Sequence, residues 1–296
     1  PFQLNLPIVP VTDLALKNNN LIVATQGRSL YIIDDLSVLH QLDGDSKTNA
    51  VKLFKPKDTY RMDGGSRKSN SAGTNHPSGV MTYFYLPEYD AKKDSVALTY
   101  FDAKNDTIKS YSTKGEKDKL EVKKGGNQFN WDMTYEGAER LPGMILWWAS
   151  TEGPKQIPGT YTVKLNVNGT DYAQPYTVLA DPRSEANLAD MQAQFDFIND
   201  VNETVDHAHQ SIKKIRNITG QLSAFEKQYK DNPDTKELRE KSKKLREDLE
   251  EIEKALYQTK NRSGQDPLNF PIRLTNKLAH LNSLVGMGDF APTDQD

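Results

Sequence analysis

The sequence predicts an α+β protein of more than one domain: an immunoglobulin-like β-sandwich followed by an antiparallel three-helix bundle with long helices. Three observations predict it. Short apolar runs with a period of two, separated by turn residues, recur over 80–179. At Asp181-Pro182-Arg183-Ser184 the period changes to about 3.6. From Leu188 onward apolar residues recur at spacings of three and four. The 296 residues are enough for two cores, and the expected divisions fall at 1–52, 53–183 and 184–296.

Residues 20–25 and 29–33 are apolar runs joined by Gln26-Gly27-Arg28, which reads as a hairpin with Gly27 free to take positive φ. Asp13-Leu14-Ala15 reads as a further strand before it. A lone hairpin is marginal in water, so this segment is expected to belong to a sheet completed elsewhere, or to join an edge of the next domain. Residues 61–79 are rich in Gly, Ser, Asn and Lys and read as a long mobile loop. Seven strands are expected after it, over 80–86, 95–101, 108–112, 128–134, 144–149, 161–167 and 172–179. Tyr161, Val163, Leu165 and Val167 form the apolar face of the clearest one, and Asn168-Gly169 turns it into its successor.

Ser184 is the expected cap of the first helix. The stripe Leu188, Met191, Phe195, Ile198, Val201, Val205, Ala208, Ile212, Ile215, Ile218, Leu222 and Phe225 implies one helix of roughly 40 residues. Asp231-Asn232-Pro233 breaks it. A second stripe runs Leu238, Leu245, Leu249, Ile252, Leu256, and a third helix is expected to begin near Pro271.

Composition narrows the function classes. With 38 basic and 41 acidic residues the net charge is -3, so no global field draws the chain to nucleic acid or acidic lipid. No apolar run approaches the roughly 20 residues of a membrane helix. Cysteine is absent, which removes disulfides and zinc-thiolate sites. No basic-then-apolar leader stands at the start of the sequence.

No complete catalytic site is legible, and no cofactor or metal is expected. Asp206-His207-Ala208-His209 has metal-ligand residue types, but residues two apart on a helix point about 200° from each other, and a solvated face is the plainer reading. Asp132, Glu136 and Glu139 stand close to Trp131, as glycosidase carboxylates stand near aromatics; turn acids beside a core tryptophan are the plainer reading. Trp147-Trp148 are candidate ligand-binding residues, since indoles stack on sugar rings, although adjacent strand residues face opposite sides and one would then be core. Gly64-Gly65 lacks the strand and helix of a phosphate loop. The basic run Lys241, Lys243, Lys244, Arg246 is balanced by Glu247, Asp248, Glu250 and Glu251 and reads as a solvated face.

Three stretches resemble the C-terminal region of bacterial sortilin-like propeller proteins with Asp-box (BNR) repeats, a group described as glycosyl hydrolases. Asp13-Leu14-Ala15 with 21–35 is similar to the end of a last propeller blade. Asn127-Gln128-Phe129-Asn130-Trp131-Asp132-Met133, Pro142-Gly143-Met144 and Pro158-Gly159-Thr160-Tyr161 are similar to the immunoglobulin-like module of such proteins. Asp181-Pro182-Arg183 and 258–268 are similar to the helical tail. The resemblance implies a periplasmic or extracellular parent, an upstream propeller domain as partner, and a blade remnant over 1–52. The Asp-box pattern Ser-x-Asp-x-Gly-x-x-Trp does not occur in the sequence, so no catalytic residue carries over. The expected function is a non-catalytic accessory or interaction region contacting protein or glycan. The alternative is a carbohydrate-active hydrolase using the carboxylates near Trp131.

Overall fold

In the computed structural model the described residues are 4, 6–42, 50–62 and 75–296; the centre of the loop expected over 61–79, with Gly64-Gly65, lies outside them. Two compact units emerge. One comprises 1–133 and 156–183, the other 134–155 and 184–296.

The first unit is built from sheets. Strands β1 (Val11–Lys17), β2 (Asn20–Thr25) and β3 (Leu30–Ile33) form an antiparallel meander. After a single helical turn, α1 (Ser37–His40), come β4 (Lys52–Leu53), β5 (Thr59–Arg61), β6 (Val80–Leu86), β7 (Val96–Phe101), β8 (Thr107–Ser112), β9 (Gly125–Trp131), β10 (Gly159–Val167) and β11 (Thr170–Ala180). They pair as a five-stranded sheet, β5-β11-β10-β7-β8, and a three-stranded sheet, β4-β6-β9. The longer sheet curls as a half-barrel, and β5 runs parallel to β11 while its other pairs are antiparallel. The β10–β11 hairpin closes on Asn168 and Gly169, both at positive φ, the turn whose twist matches that of its strands. Tyr161, Val163 and Leu165 of β10 are buried, as are Tyr100, Tyr176, Phe84 and Trp131. The Tyr100 ring lies 4.2 Å from that of Trp131, and its hydroxyl meets Thr82 Oγ1 at 2.9 Å, which leaves this buried phenol a hydrogen-bond partner.

Strands β2 and β3 of the meander are apolar on both faces over 21–24 and 30–33. Residues directly opposite share a face, so Leu14 and Leu16 of β1 stand with Leu21 and Val23 of β2 and with Tyr31 and Ile33 of β3. The reverse face carries Ala15, Ile22, Ala24, Leu30 and Ile32, with Asp13, Lys17 and Asn20 on the same face toward the ends of β1 and β2. Only Val23 among them is buried, and Leu14, Leu16, Leu30 and Ile32 are 56–72% exposed.

The second unit holds α2 (Leu188–Gln228), α3 (Lys236–Leu256) and α4 (Leu274–Val285), together with the extended segment 134–155. That segment closes on itself at a neck: Thr134 bridges Lys155 and the Tyr135 amide donates to Pro154 O at 2.9 Å. Gly137 and Gly153 permit the approach, because a Cβ on Gly137 would sit 2.0 Å from Thr151 O and one on Gly153 2.3 Å from Tyr135 O.

These observations overturn the expected immunoglobulin-like sandwich with an antiparallel three-helix bundle. The architecture is instead mixed, a curled five-stranded half-barrel sheet and one long helix with smaller ones. Three physical reasons account for the error. The parallel edge strand β5 is three residues long and adjoins the polar loop, so it left no periodic signal. The expected strand over 144–149 does not form; its apolar residues pack on helices instead. The stripe of α3 reads as bundle core, yet Leu238, Leu245 and Ile252 are exposed.

Candidate functional site

The second unit shows how its segment 134–155 is held. Helix α2 starts at Asn187, not Ser184: the Asn187 side chain accepts from the amides of Ala189 and Asp190, and Asp190 accepts from the Asn187 amide in return, a capping box. Along its first 28 residues the buried stripe reads Met191, Gln194, Ile198, Val201, Asn202, Val205, His209, Ile212, Ile215. Three members are polar. On α4, Thr275, Asn276 and Asn282 are buried too.

Each of these polar side chains reads backbone. Asn202 and Asn282 both donate to Glu152 O at 2.9 Å. His209 Nδ1 donates to Glu139 O, and Asp206 accepts from the Glu139 amide. Asn276 accepts from the Trp147 amide at 2.8 Å and donates to Trp147 O at 2.9 Å. His280 Nδ1 donates to Trp148 O at 2.6 Å, and the Ser150 amide to Ala279 O. A buried extended segment must satisfy its own peptide groups, and here side chains of α2 and α4 do so. Apolar contacts complete the seat: Leu141 and Met144 cluster with Ile212 and Tyr257, and Ala138 with Val201 and Val205.

This anchoring ends in the candidate ligand-binding pair. Trp147 is half-buried, whereas Trp148 is 71% exposed. Their ring centroids are 6.2 Å apart with planes at 51°. Trp148 has φ +49°, a left-handed conformation that costs a bulky residue about 1–3 kcal/mol and persists only where the surroundings over-determine it. The bonds to Trp147 and Trp148 carbonyls supply that determination. The arrangement therefore presents one indole to solvent on a rigid, strained support.

The candidate carboxylates have other surroundings. Asp132 and Glu136 are exposed, in the first and second unit respectively. Glu139 bonds Lys213 and Gln210, and the Lys213 ammonium holds its carboxyl below the usual range. A glycosidase general acid needs the opposite shift. Of the histidines read as possible ligands, His209 is buried against Glu139 O and His207 is exposed; among the described residues no group of three or more His, Cys, Asp or Glu is placed to hold a metal. In the first unit a groove of about 630 Å3 runs beside Tyr83, Phe54, Lys123 and Gln128, with the Tyr83 phenol pushed up by burial and by Asp35 and Asp34. Among the described residues no helix is long and apolar enough to cross a membrane.

Sequence reasoning missed the polar readers. The signal was present as Gln194, Asn202 and His209 falling seven to eight apart within an apolar stripe, where a solvated residue is out of place. No protein-family model matches the chain, and no curated protein matches it.

Proposed function

We propose that this chain is a non-catalytic accessory region of a larger secreted protein, in which the β1–β3 meander completes a stack of β-sheets such as an upstream propeller. The observation that carries the reading is the exposed apolar surface of the meander, present on both faces of β2 and β3. Sheets with one solvated face alternate apolar and polar residues, while sheets buried on both faces read as continuous apolar runs, as Leu21-Ile22-Val23-Ala24 and Leu30-Tyr31-Ile32-Ile33 do. A blade within a propeller has a neighbouring sheet against its faces. The periplasmic or extracellular location rests on the resemblance alone. Contact with protein or glycan is assigned to the exposed Trp148. The depressed Glu139 weighs against the hydrolase alternative.

The test is association with the separately produced propeller of the parent protein. Binding that protects β1–β3 amides from hydrogen exchange, and that Leu16→Glu with Ile32→Lys abolishes while β10 protection stays unchanged, is the expected result. Glycan hydrolysis by the chain, lost in Glu139→Gln, would replace this reading with the alternative.

A further inference from the structure

The helical unit carries a second surface that the reading above does not use. Helix α3 repeats Leu238, Ser242, Leu245, Leu249, Ile252 and Leu256 at alternating spacings of four and three, a coiled-coil seam spanning about 27 Å. Only part of it faces α2. The seam that α2 covers is largely polar: Ser242 bonds Glu226, Arg246 pairs with Glu226 and Arg216 with Glu253. Ser242 is buried and Leu249 and Leu256 are partly buried on that covered side; at about 100° per residue Leu238, Leu245 and Ile252 are rotated away from it and stay about half exposed. Helix α4 does not cover them. It lies along the earlier part of α2, through Gln194 with Val285 O and Asn202 with Asn282, and Thr275 bonds Leu256 O at the far end of α3.

The charges say what does cover them. Over 236–246 α3 has six basic and two acidic residues, net +4; over 247–256 it has five acidic and one basic, net -4. A parallel copy would set like halves together. An antiparallel copy, turned about a two-fold axis at Leu245, sets the basic half against the acidic half at both ends, and it brings Leu238 against Ile252 and Leu245 against its own counterpart, the three exposed members of the stripe. Lys241, Lys244, Asp248 and Glu251 lie on the exposed edge of the stripe and are themselves exposed. In that pairing each of the two lysines comes within two residues, about 3 Å along the axis, of an acid on the same edge of the other copy. Their present partners are surface pairs one turn away, Lys241 with Glu237 and Glu251 with Lys254, which exchange at little cost.

We infer that two copies of this chain associate through an antiparallel α3–α3 seam, an isologous interface whose self-complementarity is written in the opposed charges of one helix. The test is sedimentation of the full chain. Wild type is expected to dimerise at micromolar to tens of micromolar concentration, more weakly at high salt, and Leu245→Gln to stay monomeric with unchanged far-UV circular dichroism. Lys241→Glu with Lys244→Glu, and separately Asp248→Lys with Glu251→Lys, should each weaken the dimer by roughly tenfold or more, and an equimolar mixture of the two should recover it. A wild-type monomer at 100 µM in low salt, a dimer indifferent to Leu245→Gln, or a mixture that fails to recover each overturns the inference, including the case in which a helix of another protein occupies the stripe.

Discussion

Between Met191 and Ile215, helix α2 is covered by an extended segment and by α4, with polar side chains bonding the segment's peptide groups. Between Ile218 and Gln228 the same helix meets α3, with Glu226 paired to Arg246 across the seam and Ile218 42% exposed. The spacing of apolar residues is alike in both halves. The difference teaches that periodicity specifies a face, whereas the element laid on that face is chosen by what else can satisfy its backbone. A helix brings its own hydrogen bonds and needs none from its neighbour. An extended segment brings unpaired groups, and Asn202, His209 and Asn276 are the answer to them.

Truncation breaks the comparison most sharply. Ile212→Ala, at a fully buried position, should cost about 3 kcal/mol, and Ile218→Ala less than about 1 kcal/mol; urea unfolding of both variants checks the gap. Equal costs would mean that the two halves are packed alike. Asn276→Ala comes next. It strands both the amide and the carbonyl of Trp147, an expected loss of about 2 kcal/mol, together with a red shift of tryptophan emission as the pair loosens. The smallest effect is the ion pair at the edge of the covered half. The Glu139 carboxyl lies below its usual value through its bond to Lys213, so its contribution is complete above the ordinary carboxylate range and fades as pH falls through the depressed value. Lys213→Met should therefore lower the melting temperature slightly at pH 7, with the difference from wild type vanishing in acid. A difference that grew as pH fell would contradict the pairing.

Much of the secondary structure was legible because local rules wrote it. The hairpin at Asn168-Gly169, the meander at Gly27 and the long α2 all follow from residue type and period. The sheet order was not legible. A parallel three-residue strand such as β5 has no periodic signature, and curling depends on neighbours. The segment over 144–149 looked like a strand because Met144, Leu146 and Trp147 are apolar, yet helices rather than strands receive it. Within the candidate site the Trp147-Trp148 pair stood out by residue type alone; the strand that would have made one ring core and the other surface does not form, and Trp147 is half-buried. The readers of their backbone, Asn276 and His280, lie more than a hundred residues away, and nothing local to either segment announces the match.

That separation has a cost in time. The Ile145 amide bonds the Tyr257 hydroxyl 112 residues later, and the Trp147 amide bonds Asn276 129 residues later. A ribosome needs on the order of 10 s to make that much chain. Throughout the interval the nascent tryptophans have emerged without the asparagine that receives them, so the excursion over 134–155 is the part of this polypeptide for which a chaperone would find the longest opportunity to bind.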